Sequence, residues 1–264
     1  MQSIGKIVVQ TIADNYIDVF EPSTENIKRI AAGELKEPMI GGHGLAFLIE
    51  IPGKKILMDT SNSPQVLMHN LRALGVNADQ IDCVLISHGH PDHYGGLEGF
   101  LKARSKPVDI YAHPDAFWPR YLMTPKGKTP TWTFEKQKYE ALGANFKLSK
   151  DFREIEAGLA LTGEIPRTVE FEKTWAGARI IKAGTDQDDL LMDEQALVAN
   201  VKDRGLVIVS ACSHPGIINT IKHAQQQTGV EKIAAVIAGM HLAVVKEDVI
   251  EKTASALKQI NPGI

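Results

Sequence analysis

The sequence predicts one α/β domain built as a four-layer αββα sandwich, in which two β-sheets face each other and helices cover both outer faces. Short apolar runs typical of strands alternate with helical stretches along the whole chain. The second half repeats the pattern of the first, with several strands followed by helices. No linker rich in proline, glycine and serine divides the 264 residues, so we expect a single domain over residues 1–264.

In the first half, apolar β-type runs predict strands over residues 4–12, 45–51, 55–59, 82–87 and 108–112. Pro52 and Gly53 form the turn of a hairpin between the second and third of these strands. Ser63, an N-cap residue, followed by Pro64 at the first helical position, predicts a helix that ends at Gly75. The region from 115 to 144 is expected to be helical and loop-like.

In the second half, strands are predicted over residues 159–162, 179–182, 195–201, 206–210 and 232–238. Helices are predicted over residues 215–227 and 247–260.

Charge and composition narrow the function classes. The net charge is −3 and lysines and arginines are scattered, whereas a nucleic-acid binder normally carries a basic excess or stripe. A small-molecule substrate is therefore expected. No apolar run approaches the roughly 20 residues that span a bilayer, and the N-terminus lacks the apolar region of a signal peptide, so we expect a cytoplasmic protein. We expect Cys83 and Cys212 to be reduced.

The chemistry begins where the predicted strand over residues 82–87 ends. His88 and His90 are two residues apart on extended backbone, so both imidazoles can point toward one metal ion. Pro91 favours this geometry, because the residue before a proline is pushed away from helical angles. Asp92 and His93 follow on the turn into a helix and can face a second metal ion.

Imidazole and carboxylate ligands together favour zinc, with manganese or iron as alternatives. Four ligands cannot complete two sites, so further donors must come from later in the chain. His214 and His241 each follow an apolar strand, as His88 does, and are the candidates; the alternative is a capping or buried histidine. The sequence therefore predicts an enzyme with two divalent metal ions.

The segment His88–His93 resembles the His-x-His-x-Asp-His signature of the metallo-β-lactamase superfamily. The resemblance continues through most of the chain, in the stretches 42–50, 56–60, 111–114, 162–167, 193–198, 210–220 and 239–242. Within the superfamily these stretches are similar to the branch named for 7,8-dihydropterin-6-yl-methyl-4-(β-D-ribofuranosyl)aminobenzene 5′-phosphate synthase. The resemblance implies the αββα sandwich and a two-metal site.

Following the resemblance, one metal ion is assigned to His88, His90 and His214, and the other to Asp92, His93 and His241. The sequence departs from the commoner superfamily pattern at two places. Residues 162–164 read Thr-Gly-Glu where a histidine is usual, and residues 210–212 read Ser-Ala-Cys where a bridging aspartate is usual. Cys212 is therefore either a thiolate ligand or a small buried residue. Glu164 either donates to a metal ion or pairs with Arg167.

Three residues are candidates for catalysis: Asp92, Asp59 and His43. In the resembling fold an aspartate at the position of Asp59 orients a metal ligand rather than binding metal. His43, between two glycines, can approach the metals as an acid or anion ligand, or is a loop histidine.

The central loop offers candidates for substrate contact. Arg120, Lys126 and Lys128 flank it and either close over a phosphate or are solvated surface charges. The aromatic residues Trp118, Trp132 and Phe134 either stack on a flat ring or belong to the core.

Because the superfamily is mostly hydrolytic, the first prediction is a dinuclear hydrolase of a small ester, lactone or phosphate-containing substrate. The alternative is a transferase that condenses a pterin diphosphate with a ribofuranosyl aminobenzene phosphate. A non-catalytic metal-binding module is a third alternative.

Overall fold

The computed structural model describes residues 1–16, 21–31, 33–173 and 176–264. Its strands are β1 (Val8–Ala13), β2 (Ala46–Ile51), β3 (Lys54–Met58), β4 (Cys83–Leu85), β5 (Val108–Ala112), β6 (Arg120–Thr124), β7 (Gly127–Lys128), β8 (Ala144–Leu148), β9 (Arg153–Glu156), β10 (Leu159–Leu161), β11 (Ala178–Lys182), β12 (Thr185–Asp188), β13 (Leu197–Val201), β14 (Gly205–Ser210) and β15 (Ile233–Ala238). The α-helices are α1 (Pro64–Ala73), α2 (Pro91–Tyr94), α3 (Leu97–Lys102), α4 (Lys136–Glu140), α5 (Ile217–Thr228) and α6 (Glu247–Ile260).

The first sheet has the strand order β1-β2-β3-β4-β5-β8. Strands β1 to β3 are antiparallel, whereas β3, β4, β5 and β8 run parallel to one another. Their carboxyl ends therefore meet at one edge, which is where open α/β sheets place ligand sites. Asp59 and His88 both lie just beyond these strand ends.

The second sheet has the order β15-β14-β13-β10-β9. The strands β14 and β15 are parallel and their last residues, Ser210 and Ala238, are paired in register. The chain segments that follow them carry Cys212, His214 and His241. Both sheets thus deliver candidate ligands from the carboxyl ends of parallel strands.

Three apolar clusters define the layers. The middle cluster joins the two sheets, with Phe47, Ile49 and Met58 from the first packed against Leu161 and Val209 from the second. A second cluster lies between the first sheet and helices α1 and α3, and a third between the second sheet and helices α5 and α6. Helix, sheet, sheet and helix are therefore stacked in that order, and the predicted four-layer sandwich is confirmed.

The region from 115 to 144, expected to be helical and loop-like, also contains strands. Strands β6 and β7 form a hairpin closed at Gly127 (φ 107°), and β6 pairs with β11 in a small third sheet of order β12-β11-β6-β7. The expectation was wrong because the proline- and glycine-rich loop obscured two short strands, and because strand β11, which pairs with β6, lies about 55 residues later in the chain.

The other predicted elements are present with shifted boundaries. The first strand begins at Val8 rather than Ile4, which makes only an isolated bridge to Val201. Strand β13 begins at Leu197, because residues 193–195 are held by contacts to the loops beyond strands β4 and β14. Ser63 caps helix α1 through Val66 N, as expected. Within the described residues, no helix is long and apolar enough to cross a membrane.

Candidate metal centre

The predicted histidines converge in one compact cluster between the two sheets. The His88 ring centroid lies 4.5 Å from that of His90, 4.3 Å from that of His93 and 5.1 Å from that of His214. The ring of His241 lies 4.8 Å from that of His214. The structure therefore brings together side chains that are up to 153 residues apart in the sequence.

Among the described residues, two groups have ligand atoms that all lie within 4.8 Å of one another. One consists of His88, Cys212 and His214, and the other of Asp92, His93 and Cys212. Cys212 belongs to both groups, and its Sγ lies 3.1 Å from Nε2 of His93. The sulfur thus occupies a position between two candidate metal positions.

The protonation of His88 follows from its neighbours. Ser87 Oγ lies 2.7 Å from Asp59 Oδ2 and 2.9 Å from His88 Nδ1. An ionised carboxylate can only accept, so the serine donates its single proton to Asp59 and accepts from His88 Nδ1–H. Nε2 of His88 is then left with a lone pair. That atom is buried and has no hydrogen-bond partner among the described residues, as expected of a metal ligand.

The orientation of His93 is fixed by Asp59. This carboxylate is fully buried, accepts from Ser87 N at 2.7 Å and lies 2.7 Å from His93 Nδ1. Nε2 of His93 consequently points toward Asp92 Oδ2, at 3.4 Å, and toward Cys212. Asp59 therefore stands where the resemblance places an orienting carboxylate, one hydrogen bond away from the cluster.

His214 is the other buried histidine whose Nε2 has no partner in the part of the chain that the structure describes. Its backbone N–H donates to Glu194 Oε2 at 2.6 Å, and the N–H of Ser213, which has φ 56°, donates to Oε1 at 2.6 Å. Glu194 thus holds the ligand loop in a conformation that few side chains adopt.

Burial sets the charge state of three of the clustered histidines. It lowers the pKa of His88 and His214 well below the ordinary value and that of His90 to about 4, so these imidazoles are neutral near pH 7. Neutral imidazole is the form that binds metal. Burial also raises the pKa of the Cys212 thiol, although His93 opposes this shift. A metal ion at this position would have to displace the thiol proton.

The remaining predicted residues lie around these two groups. His90 is a ring neighbour of His88 and His214, at 4.5 and 5.1 Å between centroids. His241 has φ 49°, and its ring centroid lies 4.8 Å from that of His214.

His43 is at the mouth of the cluster. Its side chain is 73% exposed and its Nε2 lies 3.4 Å from Asp92 Oδ2. The following residue, Gly44, has φ +87°, and a Cβ there would lie 1.8 Å from the carbonyl oxygen of Asp92. Only glycine permits this approach. His43 is therefore brought next to the site by the backbone and faces solvent.

Arg120, one of the residues expected to flank a lid, is buried instead, with 1% exposure. Its Nε lies 2.7 Å from Asp189 Oδ2 and its NH2 lies 2.8 Å from Asp193 Oδ1. NH1 donates to Ala116 O at 3.1 Å. The lid interpretation is wrong for this arginine, since its guanidinium is buried between two buried carboxylates and does not face solvent. Lys128 lies over the Tyr121 ring.

Two alternatives left open by the sequence are also decided by contacts. Glu164 lies 3.2 Å from His113 Nε2 and 3.3 Å from Lys150 Nζ, and these two are its ion-pair partners among the described residues. Phe134 is buried and stacks on Tyr94 and Phe117, which makes it a core residue.

Trp132, two residues before Phe134 in the sequence, is half-buried beside the histidine cluster. Its ring centroid lies 5.7 Å from that of His90, and its Nε1–H donates to Gly89 O at 3.2 Å. Trp132 is thus a predicted stacking residue whose ring contacts a predicted metal ligand. Trp118 is half-buried.

Sequence reasoning missed the buried polar residues that hold the ligand loops, namely Ser87, Asp193 and Glu194. Asp193 Oδ2 accepts from Gly89 N at 2.8 Å, between the two histidines of the first loop. The available signal was the run of three polar residues, Asp193 to Gln195, directly before a continuously apolar strand. Such a run is normally interpreted as a surface loop.

The fold and the histidine cluster together indicate the protein family, and the comparisons with known proteins agree. The family model described as the metallo-beta-lactamase superfamily matches residues 39–168, and a relative with 35% identity matches over 98% of the chain. The chain belongs to the metallo-β-lactamase superfamily, and it is an enzyme.

That relative is the 7,8-dihydropterin-6-methyl-4-(β-D-ribofuranosyl)-aminobenzene-5′-phosphate synthase of Methanocaldococcus jannaschii, of which 87% is covered. An uncharacterized protein of the same organism is 28% identical over 82% of this chain and 79% of its own length. The crystal structure of a metal-dependent hydrolase of the β-lactamase superfamily is 24% identical, covers 96% of this chain and 84% of that chain, and has a TM-score of 0.74. The sequence resemblance is thus confirmed, and the full-length relative favours the transferase alternative over the hydrolase that was predicted first.

Proposed function

We propose that this chain is a metal-dependent transferase that joins a dihydropterin-methyl diphosphate to a ribofuranosyl aminobenzene phosphate. The 35% identity to the M. jannaschii synthase, which extends over nearly the whole of both chains, supports this substrate class. In the proposed reaction the amino nitrogen of the aminobenzene attacks the methylene carbon of the pterin. A C–N bond forms, the C–O bond to the diphosphate breaks, and the nitrogen loses a proton.

We propose further that the cluster holds two divalent metal ions, with zinc first and manganese or iron as alternatives. His88, His90 and His214 would hold one, Asp92, His93 and His241 the other, and Cys212 would contribute to both. The buried Nε2 atoms of His88 and His214, which have no hydrogen-bond partner among the described residues, carry this proposal. The mixed nitrogen, oxygen and sulfur donors fit zinc. Bound metals would stabilise negative charge on the departing diphosphate oxygen.

Side chains around the cluster would supply a proton donor, an aromatic surface for the substrate and the orientation of a metal ligand. His43, exposed and 3.4 Å from Asp92, is placed to donate a proton to the departing diphosphate. Trp132, next to His90, offers an aromatic face for a flat ring. Asp59 keeps His93 in the orientation and tautomer that direct Nε2 to the cluster.

The assay for the proposed function uses the purified full chain with zinc or manganese, the pterin diphosphate and the aminobenzene phosphate. We expect the coupled product and free diphosphate, detected by mass spectrometry and a phosphate assay, in equal amounts and only when both substrates are present. Diphosphate release at the same rate without the aminobenzene would contradict the transferase and identify a hydrolase. A preparation that binds well under one metal ion per chain would contradict both enzymes.

Replacing Cys212 with serine is expected to lower zinc affinity at both positions by at least about 10-fold, because a serine oxygen is shorter and a poorer zinc donor than a thiolate. Chelator competition measures the affinity, and elemental analysis gives the stoichiometry. Cys83→Ser is the matched control, since Cys83 is partly buried in strand β4, away from the cluster. Unchanged zinc binding in the Cys212 variant would remove this residue from the site.

A further inference from the structure

The segment Asp193–Gln195 contacts both ligand loops, although these loops belong to different sheets. It directly precedes strand β13 of the second sheet. Its backbone and side chains make hydrogen bonds to residues 86, 87 and 89 around the end of strand β4, and to residues 213 and 214 beyond strand β14. One short run of chain therefore connects the two halves of the candidate metal centre.

On the side of the first sheet, the contact is made by Asp193 and Gln195. Asp193 Oδ2 accepts from the backbone N–H of Gly89, at 2.8 Å, and Oδ1 is paired with the buried Arg120 at 2.8 Å. A Cβ at Gly89 would lie 2.2 Å from Ala116 O, so the loop fits closely against this network. The N–H of Gln195 donates to Ser87 O at 3.0 Å.

On the side of the second sheet, the contact is made by Glu194. Its two carboxylate oxygens accept from Ser213 N and His214 N, each at 2.6 Å, which uses both oxygens for the loop that carries His214. Among the described residues, no lysine or arginine forms an ion pair with Glu194, and burial raises the pKa of Glu194 to about 7. The two backbone donors are therefore its principal partners.

We infer that Asp193 and Glu194 are positioning residues that set the relative placement of the His88–His90 loop and the Cys212–His214 loop, and with it the affinity for metal. The inference rests on the proposed metal centre. A ligand loop that shifts by a fraction of an ångström moves Nε2 away from the coordination distance, so metal affinity should respond before the fold does. Both residues act through backbone atoms of the loops.

The test uses the isosteric variants Asp193→Asn and Glu194→Gln in the full chain. In Glu194→Gln, an NH₂ group replaces one of the two carboxylate oxygens that accept a backbone N–H. Two donors then face each other, so the loop must move. We expect zinc affinity, measured by chelator competition, to fall by about 10- to 100-fold in each variant. The absorption spectrum of the cobalt-substituted protein should change at the same time, because it reports ligand geometry.

Matched controls separate positioning from general stability. Glu172 is also a buried carboxylate with two backbone donors, Ile218 N and Asn219 N at 2.8 Å, but these donors belong to the first turn of helix α5 and not to residues 212–214. Asp189 pairs with the other side of Arg120 and accepts from Leu191 N. Glu172→Gln and Asp189→Asn should lower the melting temperature of the metal-free protein and leave zinc affinity within about threefold of wild type.

The inference is overturned if zinc affinity and the cobalt spectrum are unchanged in both test variants, or if the controls lose as much affinity as the test variants. If one test variant does not fold, the other decides, since the two contact different loops. Metal binding by the wild-type protein distinguishes a failure of this inference from a failure of the proposed metal centre. A wild type that binds no metal contradicts the metal centre, whereas a metal-binding wild type with unaffected variants contradicts only the positioning role.

Discussion

Truncation of His93 to alanine is expected to lower the rate of product formation by at least about 10²-fold, with the fold largely intact. Loss of a hydrogen-bond partner of a metal ligand already costs 10- to 100-fold, and His93 is itself a predicted ligand. Its Nε2 lies 3.1 Å from Cys212 Sγ and is directed there by Asp59. Steady-state kinetics with saturating zinc, together with bound-metal analysis, measures the effect.

The same result is expected for His90→Ala, because the His90 ring contacts the rings of the predicted ligands His88 and His214. His69→Ala is the control, because His69 lies on helix α1 with its Nε2 2.8 Å from Pro38 O, far from the cluster in the fold. Circular dichroism establishes that the variants are folded. Near-normal turnover of either cluster variant would contradict a metal-dependent reaction at this site.

Replacing Arg120 with methionine is expected to destabilise the protein by about 3–5 kcal/mol. The side chain fills a similar volume, but the variant leaves the carboxylates of Asp189 and Asp193 buried without their cation, and breaking a buried ion pair from one side has this cost. Denaturant unfolding of the metal-free protein gives the free energy. Zinc affinity should fall as well, since Asp193 contacts Gly89.

Arg179→Met provides the comparison. Arg179 also pairs with an aspartate, Asp186 at 2.8 Å, but this pair lies on the third sheet where the aspartate is exposed to solvent. Exposed pairs contribute little, so its removal should leave the unfolding curve almost unchanged. Equal destabilisation by the two substitutions would show that the buried position of Arg120 has no special role.

The layers of the fold and the core of the site were predictable because they depend on local patterns. The apolar run before His88 predicted a buried strand, and His88, His90, Asp92 and His93 lie within six residues of one another. Parallel strands then place their carboxyl ends at a common edge, so the clustering of His214 and His241 with them follows from strand order.

The parts that could not be predicted depend on contacts between distant residues. Nothing near Arg120 in the sequence indicates that it pairs with carboxylates about 70 residues later, and in isolation it is an ordinary surface cation. The position of Cys212 between both candidate metal positions likewise becomes visible only when the two sheets are stacked. The third sheet escaped prediction for the same reason.

The division of the candidate ligands between the two sheets has a consequence for synthesis of the protein on the ribosome. When the first half of the chain has emerged, His88 to His93 are present, but Cys212, His214 and the acidic segment that reaches Gly89 are not. The nascent chain therefore offers an incomplete set of donors. Tight metal capture has to wait until strand β14 has joined the second sheet, so loading with metal would be among the last events of maturation.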